Sequence, residues 1–563
     1  MKTKNLLISI LTGMITFLLI VGGIYWYYTG MKKSGDIESM MVFAPEKPLL
    51  ILSYQDLTTA LKEYGIMNED LSLSVISEEQ KKELEETLGF PVEPKDLFQQ
   101  ARLNPFGATS VIIASHNDSE CGLLYVPSLD GQGTADFILN KAKEAFKDNP
   151  IDEKISTESL SNGELMIFDA GIPSAGWLAT DKWLIIGVCM AKQNTKELLS
   201  SLGNFDTKDS AFWKRVKPLT DEYWNALLAL NLDIPENKLA QIIDILSMAS
   251  PELGKPDIKR TILNTVSQLD SLAMSYALTG DEVSMSAIAS YSEKGKLTFA
   301  ALNNPAKDQI MEQIPGEALI AARGSLDLKL ILKSIQTNDP ESYKQIEGVF
   351  QSAQGMLKLD PKADFIDQLS PPGGFALVKD SKSPDTMNVG LSLWTNLVAD
   401  HKINSFLARL SNQLEENSLD IKKSDNNGNP WYDTDFAGWG VVKDQLVFGV
   451  GKGTKESLQS KMGSGSLLNS MPTDLKNIMS GDAIFAVGVD IQSLIPILKS
   501  IPILDIPKEA LEMAESAGHF AIEVHAIEET KSLNAKITLK AASENGFAEL
   551  FKQKVLPELQ PKN

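Results

Sequence analysis

The chain has 563 residues, with 74 acidic against 53 basic side chains and a formal net charge of −21 at pH 7. Lys2, Lys4, Lys32 and Lys33 lie in the first 35 residues, which hold no acid, so the remainder is more acidic still. Such a surface repels phosphate backbones and excludes nucleic-acid binding, and it disfavours docking on anionic lipid headgroups. Only five arginines occur, so bidentate clusters for phosphate or carboxylate ligands cannot be assembled.

From the N-terminus, residues 5–29 contain no charged side chain and are dominated by Leu, Ile, Phe, Val and Gly. At about 1.5 Å per residue, about 20 apolar residues cross a hydrocarbon core of about 30 Å. The run therefore predicts an N-terminal transmembrane helix. It ends in Tyr25, Trp26, Tyr27 and Tyr28, whose rings suit the headgroup level. The rival reading is a cleaved signal peptide, whose apolar stretch is shorter, about 7–15 residues, and ends in small residues. Lysines flank both ends, but Asp36 and Glu38 dilute the charge on the C-terminal side. The expectation is a single span of the inner (cytoplasmic) membrane, with the bulk of the chain extracytoplasmic.

Beyond residue 35 the chain repeats itself. An apolar strand, an Asp followed by Leu or Ile, and a helix occur four times, at Leu49–Asp56, Ala226–Asp233, Leu319–Asp327 and Ala483–Asp490. Asp56, Asp233, Asp327 and Asp490 each stand where a helix begins. An N-cap carboxylate, which accepts bonds from the first free N–H groups, explains them better than acid–base chemistry does. Between the first pair, Ser110–Ala114 reads as a strand, Glu78–Leu88 and Asp136–Phe146 as helices. Cys121 and Cys189 lie beside strands. In an oxidising compartment they can pair, but two buried free thiols is the simpler reading.

A second repeat is longer. Gly176-Trp177 precedes Gly187-Val188 at the spacing with which Gly438-Trp439 precedes Gly449-Val450. Each copy runs on into Thr-Lys-Glu, and each has an Asn-Gly pair upstream, at Asn162-Gly163 and Asn427-Gly428. Asn-Gly between strand-like runs marks a hairpin, because a type I′ turn needs positive φ at both positions. Together the repeats divide the chain into a tail and anchor (1–35), a first half (long unit 36–210, short unit 211–310) and a second half (long unit 311–465, short unit 466–563). The expected fold class is α+β: an N-terminal transmembrane helix followed by tandemly duplicated antiparallel sheets with helices on one face.

Active-site motifs are missing. His519 and His525 are the only histidines close in sequence. On one strand they stand roughly 20 Å apart, at about 3.3 Å per residue, too far to share a metal. Gly449 to Lys455 lacks the frame of a phosphate-binding loop. Asp425, Asp433 and Asp435 suggest calcium, but Pro430 stands where the calcium loop needs Gly. Trp177 and Trp439 read as anchors packed between strands. Catalytic, cofactor and metal residues are therefore not assigned, no cofactor is expected, and the chain is not read as an enzyme. The candidate positions are structural: Asp56, Asp233, Asp327, Asp490, Trp177, Trp439, Gly187 and Gly449.

The proline, apolar strand, Asp-aliphatic and helix unit, with the Gly-Trp…Gly-Val strand pair, resembles a family of uncharacterised, membrane-anchored bacterial envelope proteins. Over residues 40–460 that resemblance implies an extracytoplasmic place and no catalytic residues. The functional expectation is a binding or scaffold module with an envelope partner. The alternative is a carrier that holds a lipid or other apolar ligand in a sheet–helix cavity. The expected membrane contact runs through residues 5–29.

Overall fold

Short apolar runs broken by turn residues give the described residues of this chain twenty strands. A computed structural model describes residues 36–55, 64–65, 82, 100–103, 108–117, 119–145, 155–168, 174–189, 192–204, 207–235, 255–303, 311–380, 382, 388–426, 428–463, 467–500, 507–554 and 556–559. The apolar run 5–29, Asp56 and nearly all of 78–88 lie outside them.

The described chain divides into two compact units. The first draws on Met1–Asp233, Ser271–Ile288 and Glu544–Asn563, the second on Ile234–Asp270 and Ala289–Ser543.

In the first unit the strands are β1 (Pro48–Tyr54), β2 (Thr109–His116), β3 (Ser119–Pro127), β4 (Ile155–Leu160), β5 (Gly163–Phe168), β6 (Ser174–Ala179), β7 (Trp183–Cys189) and β8 (Ala226–Asn231), followed by β9 (Leu269–Leu278) and β10 (Glu282–Tyr291). Their ladder runs β4–β5–β6–β7–β3–β2–β1–β8–β9–β10. Gly163, at φ +155°, supplies the positive φ of the β4–β5 hairpin. Helix α1 (Gly131–Ala145) brings Ala135 to a core with Trp177, Met166 and Leu184. Helix α2 (Lys192–Ser201) sets Leu199 over the opposite side of β6 and β7.

In the second unit the strands are β11 (Ala318–Gly324), β12 (Leu369–Lys379), β13 (Val389–Leu397), β14 (Lys422–Asn426), β15 (Asn429–Asp433), β16 (Ala437–Val442), β17 (Gln445–Val450), β18 (Phe485–Asp490), β19 (Ala517–Ile527) and β20 (Ser532–Ala541). The ladder order is that of the first unit: β14–β15–β16–β17–β13–β12–β11–β18–β19–β20. Even an irregularity recurs, since β1 shifts register against β2 between Pro48 and Leu50, and β11 against β12 between Ala318 and Ile320.

The helices used below are α3 (Leu328–Asn338), α4 (Ile403–Glu416), α5 (Lys452–Lys461), α6 (Thr473–Ser480) and α7 (Ile491–Ser500). Leu458 of α5 and Leu475 and Met479 of α6 pack with Trp394, Trp431 and Val447. Ile403 and Leu407 of α4 pack with Tyr432 and Trp439. Successive strand residues point to opposite faces, so Trp431 and Tyr432 place these two cores on opposite sides of the sheet.

Two features correct the fold expected from sequence. The strands belong to one antiparallel sheet of 20 strands, not to tandem separate sheets. Periodicity and turn residues set which neighbours pair along the chain, but an outermost strand still carries free N–H and C=O groups that invite further pairing. Helices also cover both faces, not one. All six residues of β16 are buried, and a continuous apolar run is what burial on two faces requires. The expected transmembrane helix is not part of the described fold: among the described residues no helix is long and apolar enough to cross a membrane.

Candidate functional site

An open apolar groove lies in the second unit, on the side of the sheet that carries α4. One row across the strands reads Thr395, Gly373, Gly324, Phe485, each directly opposite the next. Two opposed glycines leave the middle of that row without side chains. The result is a groove of about 240 Å³ with those four residues in its floor. Leu326 and Leu328 wall it on the side leading into α3, and Ile366, Leu369 and Pro371 wall it on the other. Pro371 and Pro372 sit in an irregularity where β12 shifts against β13 between Ser370 and Gly373. Proline has no N–H to give to a ladder, so the strand departs there.

The walls are apolar yet wet. Leu326 is 37% and Leu328 41% exposed. One row further along, Phe375 and Leu393 face each other and stay 41% and 37% exposed. Three charged residues border the groove. Asp327 caps α3, its Oδ1 accepting from the backbone N–H groups of Lys329 (3.0 Å) and Leu330 (3.1 Å). Arg323 is fully buried and turns away, donating from Nη1 and Nη2 to the carbonyls of Ala483 and Gly481, both at 2.8 Å. It thereby ties down the turn that follows α6. Lys329 makes no ion pair with any described residue.

Of the positions singled out in the sequence, Asp56 lies outside the described residues and the others, apart from Asp327, lie away from the groove lining. Asp490 caps α7, accepting from the N–H of Ser493 at 3.1 Å. Asp233 is exposed and donates its own N–H to Asn231 at 3.2 Å. Strand register sets Asn231, the last residue of β8, at the position Asp490 holds in β18. Trp177 and Trp439 are buried, the first against Phe168 and the second between Tyr432 and Phe448. Gly187 pairs with Gly176, and Gly449 with Gly438. A Cβ on Gly187 would stand 3.0 Å from Leu199 of α2, and one on Gly449 2.7 Å from Leu458 of α5, so these glycines let a helix leucine press on the sheet.

Cys121 and Cys189 are joined in a disulfide, which overturns the free-thiol reading. Their pairing follows from the β3–β7 ladder, which sets them directly opposite. Among the described residues no group of three His, Cys, Asp or Glu is placed to hold a metal. Asp433 instead binds Lys455 Nζ at 3.0 Å, Asp435 meets Lys422 at 3.5 Å, and Asp425 accepts the N–H of Gly428 at 3.0 Å. Asp433 and Asp435 line a polar cleft of about 430 Å³ whose walls these ion pairs bridge.

No family model matches the chain, and no curated protein does. Among solved structures it is similar to three crystal forms of TP0453. Forms I, III and IV are each 12% identical, with TM-scores of 0.22, 0.21 and 0.22, and cover 44% of this chain and 99%, 100% and 97% of theirs. Likenesses this distant say nothing of what the chain does.

Proposed function

We propose that this chain is a non-enzymatic envelope protein, attached to the membrane through residues 5–29, that works as a binding or scaffold module on the extracytoplasmic side. The extracytoplasmic place is the one implied by the resemblance to an uncharacterised, membrane-anchored envelope family. The observation that carries the binding role is the wet apolar groove over Gly324 and Gly373, since exposed contiguous apolar surface on a soluble face marks a site of interaction. The Cys121–Cys189 disulfide supports the location, because such bonds persist in oxidising compartments. The groove also favours a second reading, a carrier of an apolar ligand. It is open, however, and a carrier that encloses its cargo needs a closed cavity.

Thiol alkylation in intact cells, combined with membrane fractionation, tests the reading. The expected result is a membrane-bound chain with Cys121 and Cys189 protected until reductant is added, released when residues 5–29 are deleted. A full-length chain in the cytosolic fraction with both thiols reactive would overturn it.

A further inference from the structure

We infer that the groove over Gly324 and Gly373 binds a single alkyl chain carrying an anionic head, a ligand of the fatty-acid class. The inference deepens the binding-module reading and rests on it.

The protein contains its own control. Register aligns the two ladders residue by residue. In the second unit Gly324 faces Gly373 on one side and Phe485 on the other. At the same points in the first unit, Tyr54 faces Thr109 and Ala226. The same fold with the same bulge thus carries a phenol and a β-branched side chain in one copy and bare backbone in the other. Strand interiors are weakened by glycine, which packs nothing and loses more entropy on folding. Two glycines opposite each other leave bare the stretch of ladder that carries the Tyr54 and Thr109 side chains in the first unit.

The trough selects its occupant by shape and charge. At about 240 Å³ it lies below the volume of pockets for drug-sized ligands, about 300–1,000 Å³. It has room for one alkyl segment and none for the paired chains of a two-chain lipid. The half-exposed pair Phe375 and Leu393 extends it along the strands by one row, about 7 Å. At the end where α3 begins, the Asp327 carboxylate is held by two backbone N–H groups and Arg323 is turned to carbonyls. Lys329 is left as the cation at the rim of the groove, in a chain of net charge −21. That local sign favours an anionic head over a cationic or neutral one.

The test is photo-crosslinking of the full chain, in uncharged-lipid nanodiscs, with a diazirine analogue of palmitic acid, and peptide mapping of the label. The label is expected on the segments holding Gly324–Lys329 and Ile366–Gly374. Leu328→Glu, which changes only an exposed wall residue, should lower labelling about ten-fold, the effect of about 1.4 kcal/mol. Lys329→Gln should lower labelling by the acid about three-fold but leave that by the matching alcohol unchanged. The pair Gly324→Tyr and Gly373→Thr, which copies the first unit, should abolish it. Label that lands elsewhere and ignores Leu328→Glu would overturn the groove and leave the binding-module reading standing. No label on a folded, membrane-bound chain would overturn the fatty-acid ligand, while a chain found reduced and cytosolic would sink the underlying reading itself.

Discussion

Asp380 caps a helix it does not belong to: its Oδ2 accepts both the backbone N–H and the hydroxyl of Thr454, at 2.9 and 3.0 Å. Its Oδ1 accepts from the N–H groups of Lys382 and Gly453, at 3.1 and 3.2 Å. The residue before α5, Gly451, offers no side chain, so the buried carboxylate at the end of β12 supplies the cap and meets the positive end of the helix dipole. Asp380→Ala should destabilise the protein by about 1–3 kcal/mol, because buried donors lose their partner. The urea midpoint should fall at constant slope, and Thr454→Val should cost less because it removes one donor of four.

The disulfide closes a segment of 68 residues. Closing a loop of that length restrains the unfolded chain by about 2–4 kcal/mol. Replacing Cys121 and Cys189 together by Ala should lower the thermal midpoint of the first unit and make it indifferent to reductant. The parent should drop to a similar midpoint when reduced. A parent whose midpoint ignores reductant would show that the bond contributes nothing.

Gly449 and Gly187 do the same work at different clearances. A methyl on Gly449 would stand 2.7 Å from the buried Leu458, against 3.0 Å between one on Gly187 and Leu199. Overpacking typically costs about 1–3 kcal/mol. Gly449→Ala should therefore destabilise more than Gly187→Ala. Combining it with Leu458→Ala should cost less than the sum of the two single changes, since the leucine is what the methyl strikes. Strict additivity in a double-mutant cycle would refute this account of the glycine.

His525 titrates above its ordinary value of 6.5. The hydrogen bond that its Nε2 donates to the Glu523 carboxylate is the main cause, burial opposes it, and the charges of Glu523 and Asp482 add to it. A histidine whose folded value is raised stabilises the fold below its unfolded value and loses that contribution as pH rises through the folded one. The gain should thus be complete in mild acid, below about pH 6, and fade as pH climbs past the raised value. The side chain is 38% exposed, so solvent screens the effect. Glu523→Gln should move the imidazole titration, followed by NMR, back toward acid and flatten the stability profile in that window.

Hairpin positions and two of the four expected caps, Asp327 and Asp490, were legible in the sequence, because each is written in a few adjacent residues; Asp233 was misread, since it is exposed and donates its own N–H to Asn231. Asn162-Gly163 announces its turn, and Asp327 stands just before its helix. What crosses strands was not. Gly324 and Gly373 are distant along the chain, and neither looks unusual until the β11–β12 ladder sets them opposite each other. The signal was present as a contrast: Tyr54 and Gly324 both end the first strand of their copy, and only a register alignment makes the substitution visible. The disulfide was hidden in the same way, since nothing about Cys121 or Cys189 alone predicts that β3 will lie against β7. The spread of helices over both faces was foreshadowed by unbroken apolar runs such as Ala437–Val442, which a one-sided sheet does not need.

The corner that the disulfide closes has a counterpart. Register places Gly390 and Gly451 of the second unit where Cys121 and Cys189 stand in the first. A side chain at Gly390 would collide with Thr454, whose hydroxyl Asp380 holds. One half of the chain therefore locks this corner with a covalent bond and the other with a carboxylate. A thiol reagent unlocks the first and finds nothing to attack at the second. Two siblings of one strand order have become chemically separable, and an experimenter can loosen either lock without touching the other.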